Sequence, residues 1–130
     1  MNNNIITPSV AEVKIIGFLQ GHGIRYVREA ELKDLVNPLT GKALRVDFFL
    51  PDYGIVIEYD GRQHFRYTPK YHGDDPIRGR ELVLEQQRRD KIKNDYCKEK
   101  GFTMWRLNWT HYHTLQQVLN RALNKFKENK

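Results

Sequence analysis

Two short apolar segments, residues 44–50 and 55–60, constrain the fold of this chain more than any other part of it. Apolar and polar side chains alternate along the first segment, as in a β-strand with one covered face. The second segment is apolar up to its acidic end and fits a more deeply covered strand. Between them, Pro51-Asp-Tyr-Gly54 supplies turn-forming residues. Two strands joined by so short a turn predict an antiparallel β-hairpin.

Three acidic side chains lie on this predicted hairpin: Asp47, Glu58 and Asp60. Side chains at i and i+2 share one face of a strand, so Glu58 and Asp60 are expected to point to the same side. The same alternation predicts a shared face for Val46 and Phe48. Pairing about the turn places Asp47 roughly opposite Glu58. We therefore expect the three carboxylates to lie close together.

Carboxylates at such short distances repel one another, which raises the pKa of at least one of them or weakens the fold. A divalent cation relieves the repulsion, and Mg²⁺ prefers oxygen ligands and often binds through one or two carboxylates plus a substrate phosphate. The alternative is that the acids only face water. The apolar residues around Glu58 and Asp60 favour a covered strand, where carboxylates without partners are costly. Together with nearby basic residues, the cluster predicts metal-assisted phosphodiester hydrolysis.

The N-terminal part of the chain predicts a helix that begins at Ser9 and ends at the glycines that follow Gln20. Ser9-x-x-Glu12 fits a capping box, in which the two side chains bind each other's backbone N–H groups. Glu12 also lies within the apolar stripe that contains Ile15 and Leu19. A role in the site would explain an acid on this inward face, and the capping box explains it equally well without one.

The order of the predicted elements is α-β-β-β-α-β-α, which indicates an α/β protein with one mixed central sheet flanked by helices. We expect a single domain over residues 1–130, with frayed ends at 1–6 and 127–130. Beyond the hairpin and the first helix, the patterns predict a short strand over 23–28, an irregular stretch over 29–42, a polar aromatic loop over 61–75, a helix over about 77–100, a strand over 102–109 and a final helix opened by Thr114.

Composition narrows the classes of protein that fit this chain. With 22 Lys+Arg against 16 Asp+Glu over 130 residues, the formal net charge is +6, which favours a polyanionic partner. A single cysteine, Cys97, excludes an internal disulfide and a cysteine-rich zinc site. No apolar run approaches the ~20 residues of a membrane span, and the polar residues after Met1 are unlike a secretory signal. We therefore expect a cytoplasmic protein with no membrane partner.

The segments Arg45-Val-Asp-Phe-Phe-Leu-Pro51 and Ile57-Glu-Tyr-Asp-Gly-Arg-Gln-His64 resemble the PD-(D/E)xK nuclease superfamily. The likeness is nearest to its very-short-patch-repair (Vsr-like) branch and to the phage homing endonucleases with an EDxHD signature. It extends from Ser9 to Trp109 and includes Asp90-x-x-Lys93. The resemblance implies a restriction-endonuclease-like fold, a DNA substrate and Mg²⁺ as the cofactor, with Mn²⁺ as a substitute, in a bacterial or phage-infected cell.

Matched residue by residue, the resemblance implies a set of metal ligands. Asp47 matches the aspartate that binds the catalytic metal directly, and Glu12 matches an N-terminal acid that often holds it through water. Glu58 matches the second strand acid. Asp60 stands where the superfamily commonly has lysine, and it completes the predicted ligand set. Because that lysine is absent, the group that activates the attacking water stays open.

The EDxHD signature implies two further roles. His64 matches its histidine, a candidate general base or phosphate ligand with an unperturbed pKa of ~6.5. Asp90 matches its closing aspartate, which orients the histidine through the other ring nitrogen; a solvated helix acid is the alternative. The zinc of the repair enzymes has no matching cysteines here, so we expect no structural zinc. The candidate catalytic residues are Glu12, Asp47, Glu58, Asp60, His64 and Asp90.

Basic and amide side chains near the acids are candidates for phosphate contacts, which supply affinity without sequence choice. Residues 64–72 also interleave aromatic and basic side chains. This segment could stack on distorted DNA, or it could be an ordered loop with no such role. The candidates for substrate binding are Arg62, Gln63, Arg66, Lys70, Arg89 and Lys93.

These observations predict a metal-dependent DNA endonuclease of the nickase, junction-resolving or homing type. A homodimer would suit symmetric cutting of two strands. The alternative is a catalytically inactive nucleic-acid-binding module on a nuclease-like fold. The presence of all three acids, Asp47, Glu58 and Asp60, argues against that alternative.

Overall fold

A mixed sheet with helices on both faces organises the protein, as the computed structural model describes it over residues 7–62 and 67–129. The predicted α/β class and the order α-β-β-β-α-β-α are confirmed, with one extra short helix after the third strand. The elements are α1 (Val10–Gly21), β1 (Val27–Val36), β2 (Ala43–Leu50), β3 (Ile55–Asp60), α2 (Pro69–His72), α3 (Pro76–Lys100), β4 (Thr103–Asn108), a 3₁₀-helix (Trp109–Thr114) and α4 (Leu115–Glu128).

The described strands lie in the order β1-β2-β3-β4, and the predicted hairpin of β2 and β3 is confirmed. Phe48 pairs with Ile57 in this antiparallel ladder, so extending the register by one residue places Asp47 opposite Glu58, as the sequence predicts. Strand β4 runs parallel to β3, with Glu58 facing Arg106. Helix α3 makes the crossover between these two strands, as parallel neighbours require.

The expectation of an irregular stretch over 29–42 is wrong, because β1 extends to Val36 and pairs with β2. Glu29 and Asp34 have positive φ angles of 47° and 67°, and the pairing shifts between Glu31 and Val36. These irregularities remove the strict alternation by which a strand is recognised from sequence.

Two apolar clusters pack on opposite faces of the sheet. The first joins α1 and α4 to the sheet, and its buried members include Ile15, Phe18, Leu119 and Ile57. The second packs beneath α3 and includes Tyr96 and Cys97 from that helix, with Ala30, Leu35, Val46 and Val56 from the strands. None of the helices in the described ranges combines the length and the apolar character needed to cross a bilayer.

Strand β2 changes its packing side at Asp47. Phe48 lies in the first cluster, whereas Val46 lies in the second, so the expectation that these two residues share a face is wrong. The backbone pairing of β2 with β3 ends at Phe48, and the N–H of Asp47 donates to a side chain instead of a strand carbonyl. Glu29 faces Asp47 in the register of β1 and is itself in a left-handed conformation. The candidate site is therefore built at a local distortion of the sheet.

Candidate metal and phosphate site

The carboxylates of Asp47 and Glu58 connect β2 to β3 by hydrogen bonds to the backbone. The Asp47 backbone N–H donates to Glu58 Oε2 at 2.6 Å, and the Tyr59 N–H donates to Asp47 Oδ2 at 2.8 Å. Each carboxylate thus accepts a backbone hydrogen bond from the opposite strand. Because both acids are held by main-chain groups, their positions are fixed by the fold of the sheet.

Lys93 from α3 forms a buried ion pair with Glu58. The distance from its Nζ to Glu58 Oε1 is 2.7 Å, and the two side chains are only 11% and 3% exposed. The sequence predicts a phosphate contact for Lys93, and the structure adds the pairing with an acid of the hairpin. Lys93 therefore places a cation beside Glu58, although Asp60 occupies the position at which the resemblance would imply a lysine. The buried Tyr96 and Cys97, three and four residues later, are the signal that Lys93 faces inward.

Arg106 from β4 holds the second strand acid. Its Nη1 donates to both carboxylate oxygens of Asp60, at 3.1 and 3.0 Å, and lies 3.7 Å from Asp90 Oδ1. Its Nη2 donates to Asn94 Oδ1 at 2.8 Å, which ties α3 to the strand. Sequence reasoning missed Arg106, because a single arginine in a short strand does not reveal its partner.

Asp90 lies close to Glu58 and Asp60, with one ligand oxygen of each within 4.8 Å of the others. Asp90 Oδ1 also accepts a hydrogen bond of 3.1 Å from Gln86. Its predicted partner His64 lies outside the described residues, as do Gln63 and Arg66, so the predictions for these three stay predictions.

A separate acidic group forms on the α1 side of the distortion. One carboxylate oxygen each from Glu12, Glu29 and Asp47 lies within 4.8 Å of the others. The capping box at Ser9 is confirmed, with the Ser9 N–H donating to Glu12 Oε1 at 2.8 Å, and the same glutamate lies beside Asp47. The capping role of Glu12 is therefore confirmed, and its role in the site stays a prediction. Glu29 was not predicted, because its place in the site depends on the pairing of β1 with β2.

The acidic group of Glu12, Glu29 and Asp47 differs from the group around Glu58 in the pKa values of its carboxyls and in the cations nearby. Burial raises the pKa of Asp47 to about 7, and the neighbouring Glu58 carboxylate adds to the rise. Burial, and then the charge of Glu12, also raise the pKa of Glu29. The other group already has two cations, Lys93 and Arg106, against its acids. The four predicted metal ligands thus divide between two groups. Asp47 and Glu12 lie with Glu29, whereas Glu58 and Asp60 lie beside the cations Lys93 and Arg106.

Two clefts meet at Asp47 and Tyr59. The larger, about 650 Å³, lies between the start of α1, the end of β3 and the 3₁₀-helix, and the smaller is about 340 Å³. Both are bordered by side chains that the sequence assigns to phosphate contacts. Arg62 and Lys70 line the larger cleft, and Arg89 and Lys93 line the smaller.

The raised pKa of Asp47 predicts a specific dependence of stability on pH. A folded-state pKa of about 7, against 3.8 ordinarily, means that the penalty for ionising Asp47 is absent below about pH 4, grows between 4 and 7, and is complete above 7. Its upper limit is about 4 kcal/mol. We expect Asp47→Asn to be more stable than the wild type at pH 8 without divalent ions, and equally stable at pH 4. Urea denaturation at both pH values measures the difference.

Asp52→Asn is the matched control for this measurement. Asp52 is exposed and pairs with Arg25, which lowers its pKa, so this variant should change stability slightly and with the opposite sign. An Asp47→Asn protein that is less stable than the wild type at pH 8 would contradict the assignment of an electrostatic penalty to Asp47.

Comparisons with known proteins yield relatives but no assigned activity. No family model and no solved structure matches the chain. It is 36% identical over 76 residues to the uncharacterized protein 033L of Invertebrate iridescent virus 3, a match that covers 58% of this chain and 37% of the relative. It is 35% identical over 78 residues to the uncharacterized protein 094L of Frog virus 3, covering 60% of this chain and 48% of the relative.

A third relative is the uncharacterized protein 307L of Invertebrate iridescent virus 6, 31% identical over 98 residues, with 72% of this chain and 45% of the relative covered. The chain thus spans less than half the length of these curated relatives. The similarity links the chain to viral proteins, and the chemistry of the site must be argued from its own residues.

Proposed function

We propose that this protein is a Mg²⁺-dependent endonuclease that hydrolyses phosphodiester bonds in DNA. The observation that carries the proposal is the pairing of Asp47 and Glu58 between β2 and β3, with the buried ammonium of Lys93 on one side and the acidic group of Glu12, Glu29 and Asp47 on the other. The basic residues that border both clefts and the resemblance to the PD-(D/E)xK superfamily support the same chemistry.

The group of Glu12, Glu29 and Asp47 fits a hard divalent cation. Its ligand atoms are all carboxylate oxygens, and their mutual repulsion and burial raise the pKa of Asp47 to about 7. A bound cation would favour the ionised form of Asp47. When present, Mg²⁺ would stabilise negative charge that develops on the phosphoryl oxygens, and Mn²⁺ can substitute for it.

The protein's own side chains would bind and orient the substrate. The Tyr59 N–H fixes Asp47 by holding one of its oxygens. Lys93 borders the smaller cleft while it binds Glu58, so its ammonium can meet a phosphoryl oxygen at the same place. Arg62, Lys70 and Arg89 border the two clefts at positions suited to neighbouring phosphates. The proposed general base, His64, rests on the resemblance alone.

Charge favours a polyanionic partner, and the resemblance makes DNA the partner that we propose. The net charge of +6 and the basic borders of both clefts favour a polyanion, and the affinity should fall steeply with salt. Because the relatives are viral proteins, we propose that the enzyme acts in the cytoplasm of a virus-infected cell. Symmetric cleavage of both strands would favour a homodimer with two-fold symmetry.

Plasmid cleavage tests the proposed function directly. The purified chain is incubated with supercoiled plasmid, nicked plasmid and branched oligonucleotides in Mg²⁺, Mn²⁺ or EDTA. We expect cleavage of at least one substrate in Mg²⁺ and none in EDTA. If no substrate is cleaved with either metal, the nuclease proposal is wrong. Salt-sensitive gel shifts without cleavage would then indicate the nucleic-acid-binding module instead.

A further inference from the structure

The 3₁₀-helix that follows β4 is fixed at its start. The Asn108 side chain accepts a hydrogen bond of 2.9 Å from the Thr110 N–H, and the Asn108 N–H donates to His111 Nδ1 at 3.1 Å. The other end of this segment is tied to α1, since Lys14 Nζ donates to the Tyr112 carbonyl at 3.3 Å. The segment is therefore a preorganised part of the wall beside Asp47.

Two aromatic side chains of this helix border the same cleft. A 3₁₀-helix has three residues per turn, so side chains at i and i+3 lie one above the other. Trp109 and Tyr112 have this spacing, and both line the 650 Å³ cleft that contains Asp47 and Glu12. Trp109 is 38% exposed and belongs to neither core cluster, although burial of its ring would stabilise the fold. Its ring is therefore accessible from the cleft.

A cationic side chain also lies over each of the two rings. The Arg62 guanidinium lies 4.7 Å from the centre of the Trp109 ring, and Lys14 Nζ lies 3.9 Å from that of Tyr112. Aromatic planes for bases combined with cations for phosphates are the combination by which proteins bind single-stranded nucleic acid. A purely apolar ligand would gain nothing from the two charges.

We propose that this cleft binds the base of an unpaired nucleotide by stacking it against Trp109, next to the phosphate that is cleaved. The inference rests on the proposed function, which places that phosphate at Asp47. In a duplex the bases are paired and stacked on each other, and extruding one has a cost that is smallest where the base is already unpaired. The substrate class is therefore DNA with a single-stranded segment, such as a flap or a bubble.

Binding measurements in EDTA test the inference without any cleavage. The probes are fluorescein-labelled (dT)₁₅ and a blunt 15-base-pair duplex, each measured by anisotropy with the wild type, Trp109→Ala, Trp109→Phe and Val36→Ala. Val36 is an exposed apolar residue of β1 outside the cleft and serves as the control. We expect Trp109→Ala to bind (dT)₁₅ roughly ten-fold more weakly or worse, with duplex binding unchanged. Trp109→Phe should retain most of the affinity.

The outcomes separate this inference from the nuclease proposal. If Trp109→Ala binds (dT)₁₅ as tightly as the wild type, or loses affinity for both probes equally, the stacking site is wrong even if the plasmid is cleaved. If the wild type cleaves no DNA but its affinity for (dT)₁₅ depends on Trp109, the stacking site stands and the nuclease proposal fails. Thermal melting of each variant verifies the fold, and an exposed tryptophan should be replaceable without unfolding.

Discussion

The Asp47→Asn variant is expected to lose DNA cleavage by more than about 100-fold while keeping its fold. Changes to groups that only support metal ligands already cost 10–100-fold, and Asp47 is a proposed ligand itself. Asparagine retains a side-chain oxygen that can accept a hydrogen bond from the Tyr59 N–H, so the contact between β2 and β3 at this residue should be preserved. Removal of the carboxylate also relieves its repulsion with Glu58 and Glu12. We therefore expect the variant to be less active than the wild type and, in the absence of metal, at least as stable.

Cleavage rate and metal affinity are measured together to check this result. Mn²⁺ binding, followed by calorimetry without DNA, should weaken in Asp47→Asn and stay unchanged in Asp52→Asn, which removes an exposed carboxylate on the β2–β3 turn. Asp52→Asn should also cleave at the wild-type rate. Wild-type cleavage by Asp47→Asn would show that the site assignment is wrong. Loss of cleavage with unchanged Mn²⁺ binding would mean that Asp47 acts otherwise than as a ligand.

The opposition of Asp47 and Glu58 could be predicted because the elements involved are local. A short turn fixes the register of a hairpin, and the register decides which side chains face each other. The capping box at Ser9 is similarly encoded within four residues. In both cases the interacting groups are close in the chain, so their positions follow from the pattern alone.

The ion pairs that Lys93 and Arg106 form with the acids could not be predicted, because the partners come from distant elements. Lys93 lies in a helix with many charged residues, such as Arg89 and Lys91, and most such side chains face solvent. Only the packing of α3 on the sheet selects the one that meets Glu58, which is 35 residues earlier. Glu29 was missed for a related reason, because its left-handed conformation occurs in a strand without a regular alternation.

The change of packing side at Asp47 could not be predicted either. Strict alternation assumes that every residue of β2 pairs through its backbone, whereas Asp47 gives its N–H to Glu58. A binding site that replaces ladder hydrogen bonds with carboxylates necessarily departs from the strand pattern. The pattern therefore predicts which residue Asp47 faces and fails to predict the side on which its neighbours pack.

Replacing Lys93 with methionine should lower the free energy of unfolding by about 3–5 kcal/mol, because it leaves the buried Glu58 carboxylate without its cation. The loss is measured by urea denaturation at pH 7.5. Lys91→Met is the matched control on the same helix, since Lys91 pairs with Asp95 in solvent and its loss should change stability by less than about 0.5 kcal/mol.

The double variant Lys93→Met/Glu58→Gln separates stability from function. It removes both buried charges, and glutamine can still accept the Asp47 N–H, so much of the lost stability should return. Cleavage should not return, because the proposed site would lack both the ammonium and the acid beside Asp47. A Lys93→Met protein as stable as the wild type would show that the ion pair with Glu58 does not stabilise the fold. Recovery of cleavage in the double variant would show that the ion pair supports the fold alone, and the proposed site would then reduce to Asp47 and its neighbours on the α1 side.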